Sequence, residues 1–276
     1  MGVLLNITED HLDRYPDFAA YADSKMRLFE NQGRGDVAVL NGSDPVIAAR
    51  AGALRGRTLY YPAPEPGAGG AVVADGALSV RLPGRAPLRF DLGGFRLRGP
   101  HNAENAAAAA LAALAAGATP EGVRQALDTF IGLPHRMEPV GQVGGVAYVN
   151  DSKATNVDAV TRGLECFSDP VVLIMGGLDK GGDFRRLEPA VRRHAKALIV
   201  LGAAAEKIRS ALGGAVPTRT AGDMDQAVRL AAAAAAPGGS VLLAPGCASF
   251  DMYADYRARG EDFRRAVEQL SENPPR

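Results

Sequence analysis

The stretch PVVLIMGG, residues 170–177, decides the fold, because an uninterrupted apolar run ends in two glycines. Such a run is typical of a strand that is buried on both faces of a parallel sheet. Helix-like stretches such as EPAVRRHA (188–195) separate it from its neighbours. Similar runs occur at GVAYVN (145–150), ALIVLG (197–202) and SVLLAPG (240–246). This alternation predicts an α/β fold with a doubly wound domain from residue 134 onward.

Polar clusters follow three of these runs, at the points where the predicted strands end. They are NDSKATN (150–156), GGLDKGGDF (176–184) and GCASFDMYADY (246–256). In a doubly wound sheet, ligands bind at the carboxyl ends of the strands. We therefore expect the three loops to converge on one crevice.

The chain before residue 134 has a less regular pattern. It indicates strands at 3–7 and 36–41, helices at 17–31 and 102–116, and short antiparallel strands within the Gly/Pro-rich stretch 61–99. IGLPHRME (131–138) is the predicted junction, which gives domains at 1–133 and 134–276. The first strand reads as buried, so its neighbours come either from later in the chain or from a segment that precedes it.

Composition limits the classes of partner. Lys plus Arg and Asp plus Glu number 31 each in 276 residues, which argues against a long-range field for nucleic acid or an anionic membrane. The alanine-rich run 105–118 is too short to span a bilayer. Cys166 and Cys247 form no CxxC pair and are expected to be buried small hydrophobes. Without a signal-peptide pattern, the sequence favours a reducing cytoplasm.

Each candidate motif has a structural alternative. NDSKATN can be an N-cap cluster, with Ser152 or Thr155 as the cap, or an anion site around Lys153. GGLDKGGDF can be a turn with Asp183 as N-cap, or a glycine-lined approach to a ligand with Lys180 as the cation. No GxxxxGK[ST] phosphate-binding loop occurs in the chain.

The remaining motifs have weaker signals. ITEDHLDRY (7–15) offers an imidazole and carboxylates that can bind magnesium or simply form an acidic loop. Lys25 reads as a solvated helix lysine. Arg136 in PHRME can clamp a phosphate or form a surface salt bridge. Asn102 and Asn105 share a helical face and can serve as a cap or read an adenine edge.

Together the motifs resemble the Mur ligase family, and within it the UDP-N-acetylmuramoyl-L-alanine:D-glutamate ligases. The motifs are TEDHLDRY, SKMRLFEN, GPHNAENAAAA, GLPHRME, NDSKATN, GGLDKGGDF and PGCASFDMY, in that order, and the likeness runs from residue 3 to about residue 265. It implies the rear part of a central ATPase domain followed by a Rossmann-like C-terminal domain that binds D-glutamate and part of the nucleotide.

The resemblance also implies an activity. ATP phosphorylates the terminal carboxylate of UDP-N-acetylmuramoyl-L-alanine, and the amine of D-glutamate attacks the acyl phosphate, in peptidoglycan synthesis and thus in cell-wall biogenesis, cell shape and cell division. ATP and Mg²⁺ are the implied cofactors, and the partners are small molecules. Such catalysis depends mainly on positioning and charge neutralisation.

The same resemblance assigns residue roles. The catalytic residues that it implies are Lys25, His11 and Lys153. It also implies that His11 and a carbamate on Lys25 bind the metal. Nucleotide contacts fall to Asn102, Asn105, Arg136 and Asp151, and D-glutamate contacts to Lys153, Thr155, Lys180, Ser249 and Phe250. A carbamate at Lys25 agrees with electrostatics, because two unit charges about 4 Å apart repel by about 4 kcal/mol at an effective dielectric near 20.

The sequence departs from the family at its beginning. The family's UDP-sugar domain, phosphate-binding loop and a magnesium-binding glutamate have no counterpart here, so the chain alone is expected to be inactive. The alternative is a non-catalytic module that binds D-glutamate or nucleotide, or one half of a split ligase that a separate chain completes.

Overall fold

The computed structural model describes residues 1–9, 14–63, 69–97, 99–235 and 237–272 and contains two compact units. The first unit comprises residues 1–8 and the described part of 14–131. The second consists mainly of the described residues from Gly132 onward.

The first unit is a six-stranded sheet with the strands in chain order. Its strands are β1 (Gly2–Leu4), β2 (Val37–Asn41), β3 (Arg57–Tyr61), β4 (Gly70–Ala74), β5 (Ala77–Arg81) and β6 (Leu88–Asp91). The first three pairings are parallel and the last two antiparallel, so the antiparallel strands expected within 61–99 are confirmed. Its helices are α1 (Phe18–Met26), α2 (Pro45–Ala51), α3 (Pro100–Ala115) and α4 (Pro120–Thr129).

The alanine-rich helix α3 supplies much of the first unit's core. Ala107, Leu111 and Leu114 are buried together with Leu59 and Leu78 of the sheet. Alanine favours helix formation, and its small side chain lets the helix lie close to the sheet. None of the helices in the described ranges is long and apolar enough to cross a bilayer.

The first strand is shorter than predicted. It ends at Leu4 rather than at Ile7, because the next residues bind other elements. The Leu5 carbonyl accepts a hydrogen bond from the Tyr61 hydroxyl at 3.0 Å. The Ile7 amide donates to Asp44 Oδ2 at 2.8 Å. The strand pairs with β2 at one edge of the sheet.

Replacing Asp44 by alanine is expected to lower the free energy of unfolding by about 2 kcal/mol. Besides Ile7, its carboxylate accepts the amides of Val46 and Ile47 at 2.8 and 3.0 Å and so caps α2. Urea unfolding measures the change. Asp17→Ala, which removes the exposed cap of α1, is the matched control and should cost about 1 kcal/mol or less. Equal losses in the two variants would contradict the role of the Ile7 contact.

The second unit is a doubly wound α/β sheet, as the apolar runs predicted. The strand order is β11-β10-β9-β12-β8-β7, with only the β7–β8 pairing antiparallel. The strands are β7 (Glu138–Val143), β8 (Val146–Asn150), β9 (Val171–Gly176), β10 (Ala195–Leu201), β11 (Thr218–Thr220) and β12 (Ser240–Leu243). Its helices are α5 (Val157–Leu164), α6 (Glu188–His194), α7 (Ala205–Leu212), α8 (Met224–Ala234) and α9 (Tyr256–Glu272).

Helices cover both faces of this sheet. One core cluster joins the strands to α8 and α9, and the other joins them to α5, α6 and α7. Every residue of β9 is buried, which explains its uninterrupted apolar sequence. Because β8, β9 and β12 are parallel neighbours, the loops that follow them leave the sheet at the same edge.

Candidate functional site

Backbone hydrogen bonds join the three polar loops of the second unit. Leu178 and Ala248 exchange two of them, at 2.8 and 2.9 Å, which connects the loop after β9 to the loop after β12. The amide of Gly246 donates to the carbonyl of Ala154 at 2.8 Å, which adds the loop after β8. The predicted convergence of these loops is therefore present in the structure.

A buried arginine of α9, Arg259, forms hydrogen bonds with all three of these loops. Arg259 is only 3% exposed. Its Nε and Nη2 donate to Ser152 Oγ and O at 3.0 and 2.8 Å, and its Nη1 donates to the carbonyls of Cys247 at 3.1 Å and Gly176 at 3.5 Å. Burial lowers the pKa of this guanidinium to about 10, which leaves it charged at neutral pH. One cation therefore ties together the ends of β8, β9 and β12.

Two glycines at the end of β9 allow close backbone contacts, one with β10 and one with the loop after β12. Gly176 and Gly177 have φ of 136° and 129°. A Cβ at Gly176 would lie 1.8 Å from the Leu201 carbonyl oxygen, and one at Gly177 would lie 2.2 Å from the Ala248 carbonyl oxygen. The first two glycines of GGLDKGGDF are thus required by contacts with the chain's own backbone, and the predicted close approach to a ligand stays a prediction.

The prediction that Ser152 or Thr155 caps the helix after NDSKATN is wrong. Asn156 caps α5, with its Oδ1 accepting the Ala159 amide at 2.8 Å. Ser152 is instead fully buried and donates to the Tyr256 carbonyl at 2.8 Å. The half-buried Lys153 and Thr155 therefore need another explanation than the helix cap.

Lys153 is oriented by a residue that the sequence analysis did not single out. Its Nζ lies 4.3 Å from the centroid of the Tyr256 ring, a cation–π distance, and its amide donates to the His135 carbonyl at 3.1 Å. Tyr256 is the last residue of the third polar cluster, so the predicted convergence of the clusters could have identified it as a neighbour of Lys153. Lys153 thus contacts both the junction motif and the last residue of the third polar cluster.

Asp151 is the most perturbed carboxylate in the candidate site. It is 8% exposed, and burial raises its pKa to about 6 despite the nearby charge of Arg136. Its Oδ1 accepts the Met137 amide at 3.3 Å. A buried carboxylate with a raised pKa at a strand end is characteristic of functional sites. The structure brings Asp151 and Arg136 together, with Arg136 exposed.

The other residues predicted to contact D-glutamate lie on the loops after β9 and β12. Lys180 is half-buried, next to Asp179, whose carboxylate accepts the amides of Gly181 and Gly182. Asp183 is an N-cap, as the structural alternative proposed, although of the 3₁₀ helix Phe184–Leu187. Ser249 is 3% exposed, whereas Phe250 is 69% exposed and extends into solvent in this unit.

The junction motif folds around His135, which the sequence analysis did not select. His135 and Met137 have φ of 62° and 45°, unusual for residues other than glycine. The His135 ring is buried and lies 3.1 Å from Asn150 Nδ2, and its amide donates to Glu138 at 2.9 Å. Burial opposes ionisation of Glu138, but the His135 amide and Arg264 hold its pKa below the usual value. This network fixes the backbone that carries Arg136.

The predicted site residues of the first unit lie on α1 and α3. Asn105 Nδ2 lies 3.5 Å from Asn102 Oδ1, so the shared helical face is confirmed. Lys25 is exposed, with its Nζ 5.1 Å from the Tyr21 ring centroid. His11 lies outside the described residues. Within the described ranges, no three His, Cys, Asp or Glu side chains converge on a possible metal position.

The two cysteines have different environments. Cys247 is buried, as expected, and burial raises its thiol pKa to about 12. Cys166 is only half-buried, and the expectation of burial is wrong there, because its thiol lies at the end of α5 and donates to the Arg162 carbonyl at 3.3 Å.

Comparison with known families gives matches in both units. Residues 1–113 match the Mur ligase middle domain, and residues 135–247 match the Mur ligase glutamate ligase domain.

Named relatives are similar over almost the whole chain. The UDP-N-acetylmuramoylalanine–D-glutamate ligase of Desulfosudis oleivorans is 49% identical over 272 residues, which cover 99% of this chain and 59% of that protein. The ligase of the same name from Desulfatibacillum aliphaticivorans is 48% identical and is covered to 60%. The chain therefore spans about three fifths of the length of these relatives.

Solved structures share the fold at low sequence identity. A pseudomurein peptide ligase type C from Methanothermus fervidus has a TM-score of 0.74 at 17% identity, covering 98% of this chain and 63% of that one. The MurF ligase from Thermotoga maritima in complex with ADP has a TM-score of 0.70 at 15% identity, covering 99% of this chain and 62% of that one.

Proposed function

Because the chain belongs to the Mur ligase family, we propose that it is the D-glutamate-binding part of an ATP-dependent ligase that makes the amide between D-glutamate and UDP-N-acetylmuramoyl-L-alanine. The ligase acts in the cytoplasm in peptidoglycan synthesis. The observation that carries this proposal is the convergence of the loops after β8, β9 and β12 on one guanidinium, which places three candidate ligand loops at one sheet edge.

The second unit supplies the groups that a dicarboxylic amino acid requires. Lys153 and Lys180 are cations on two of the converging loops, and Ser249 lies on the third. Two cations suit a substrate with two carboxylates, because each negative charge needs compensation when it leaves water. Thr155 and Phe250 complete the set, as a hydroxyl on the first loop and an exposed aromatic ring on the third.

Residues that suit parts of a nucleotide are proposed for each unit separately. In the second unit, Arg136 suits phosphate oxygens, and Asp151 suits a ribose hydroxyl, because its carboxylate can accept a hydrogen bond. In the first unit, the amide pair Asn102 and Asn105 suits the donor and acceptor pattern of adenine.

Magnesium would be held by His11 and by Lys25 as a carbamate. The exposure of Lys25 fits such a modification, because carbon dioxide must reach the amine. A bound magnesium ion supplies charge neutralisation for phosphate oxygens. The assignment of both residues rests on the family resemblance.

The proposed reaction has two steps, and the residues of this chain would act mainly in the second, the attack of the D-glutamate amine on the acyl phosphate. A carboxylate oxygen of the acceptor displaces ADP from the γ-phosphate, which gives an acyl phosphate. The D-glutamate nitrogen then bonds to the acyl carbon, phosphate leaves, and the nitrogen releases a proton. Lys153 and Lys180 would hold the two D-glutamate carboxylates so that the amine faces the acyl carbon, and such orientation contributes much of the rate in reactions of this kind.

Replacing Lys180 by methionine is expected to weaken D-glutamate binding about 10- to 100-fold, since a hydrogen bond to a charged partner contributes about 1.5–3 kcal/mol. Isothermal titration of the chain with D-glutamate measures the change. Lys196→Met is the matched control, because Lys196 lies near the amino end of β10, away from the strand ends that carry the loops. Equal affinities in the wild type and Lys180→Met would contradict the assignment.

A further inference from the structure

Ordering the loop that carries Lys180 costs much conformational entropy. Residues 176–182 include four glycines, at 176, 177, 181 and 182. Fixing a residue's backbone costs roughly 1–2 kcal/mol, and glycine loses more freedom than any other residue. A lysine on such a loop can bind a carboxylate tightly only if other contacts hold the loop before the ligand arrives.

Asp179 folds the loop around Lys180. Its Oδ1 accepts the amides of both Gly181 and Gly182 at 3.0 Å, so the side chain bridges across Lys180. Gly181 has φ of 88°, which an alanine there would resist. The orientation of the Asp179 carboxylate therefore sets the backbone on the C-terminal side of Lys180.

Lys207 of α7 holds that carboxylate in place. Its Nζ donates to Asp179 Oδ2 and also to the Gly182 carbonyl at 3.2 Å. The same nitrogen lies 5.4 Å from the centroid of the Phe184 ring, which is buried and fixes the far end of the loop. Gly182 is thus held through its amide by Asp179 and through its carbonyl by Lys207.

We propose that Lys207 is a positioning residue that holds the glycine-rich loop, and with it Lys180, in the conformation that receives a carboxylate of D-glutamate. This inference rests on the proposed function and adds a residue from a different helix to it. Lys207 acts through Asp179 and Gly182, not by touching the substrate.

The contact is suited to local positioning rather than to global stability. The side chains of Lys207 and Asp179 are 52% and 24% exposed, and exposed ion pairs contribute little to unfolding free energy. The Lys207→Met variant should therefore fold normally, while the glycine-rich loop around Lys180 samples other conformations. If the competent conformation falls to about a tenth of the population, the dissociation constant for D-glutamate rises about tenfold.

Two measurements on the full chain test the proposal. Amide hydrogen exchange at Gly181 and Gly182 reports the loop without any ligand, and calorimetric titration reports D-glutamate affinity. Lys207→Met should speed exchange at both glycines and raise the D-glutamate dissociation constant about tenfold, and Lys207→Arg should restore much of both. Arg209→Met is the control, because Arg209 lies on the same helix and pairs with Glu206.

The outcomes separate this inference from the proposed function. Unchanged exchange in Lys207→Met would overturn the positioning role, and so would faster exchange with unchanged D-glutamate affinity. Similar losses in Arg209→Met would also overturn it. Absence of D-glutamate binding by the wild type would sink the proposed function and the ligand named here, while exchange at the two glycines would still decide whether Lys207 holds the loop.

Discussion

Arg259→Met is expected to lower the free energy of unfolding by about 3–5 kcal/mol. Methionine keeps much of the length of the side chain but donates no hydrogen bond. The buried carbonyls of Ser152, Cys247 and Gly176 would each lose the hydrogen bond that the Arg259 guanidinium donates. Unsatisfied buried acceptors cost about 1–3 kcal/mol each, and relief of the buried charge offsets part of the sum.

Urea unfolding, followed by circular dichroism, measures the loss. Arg265→Met is the matched control on the same helix, since Arg265 is exposed and pairs with Asp225 and Asp262. That variant should change the free energy by about 1 kcal/mol or less. A comparable change in the two variants would show that the three loops do not depend on Arg259.

Asp151→Asn is expected to raise the free energy of unfolding at pH 8 by up to about 3 kcal/mol. Burial raises the folded pKa of Asp151 from 3.8 to about 6, so its ionised form is disfavoured in the folded state. Below about pH 4 the carboxyl is protonated in both states and carries no penalty. Between the unfolded and folded pKa values the penalty grows, and above about pH 6 it is complete. Asparagine keeps an oxygen for the Met137 amide but never ionises.

The pH profile distinguishes this mechanism from a general effect. The difference between Asp151→Asn and the wild type should be large at pH 8 and vanish near pH 4. Asp158→Asn, on the partly exposed face of α5, should show no such rise. A stability difference independent of pH would show that ionisation of Asp151 does not destabilise the folded state. A costly carboxylate kept at a strand end is consistent with a role in ligand binding, where stability is given up for function.

The strands and the edge at which their polar loops meet were predictable because their signals are local. An apolar run that ends in glycine identifies β9 and β12, and the polar clusters that follow them lie together for a topological reason. The end of the first strand was not predictable, because Tyr61 and Asp44, distant in sequence, hold the residues that follow Leu4.

Arg259 was missed because α9 contains four arginines, and the sequence alone does not show which of them is buried. One signal was present in the sequence: Arg259 occupies the same helical stripe as Phe263, Ala266 and Leu270, which are buried. A charged residue on an apolar stripe needs buried partners, and only the tertiary structure identifies them. The same holds for Lys207, whose role depends on a loop in another part of the chain.

We propose that the second unit binds D-glutamate at the ends of β8, β9 and β12. An amide nuclear magnetic resonance titration of the isotope-labelled chain with D-glutamate tests it most directly. We expect saturable shifts concentrated in residues 150–156, 176–183 and 246–256, and we expect these shifts to be weaker with L-glutamate and strongly reduced by Lys180→Met. Shifts that do not saturate, or that fall outside these loops, would contradict it.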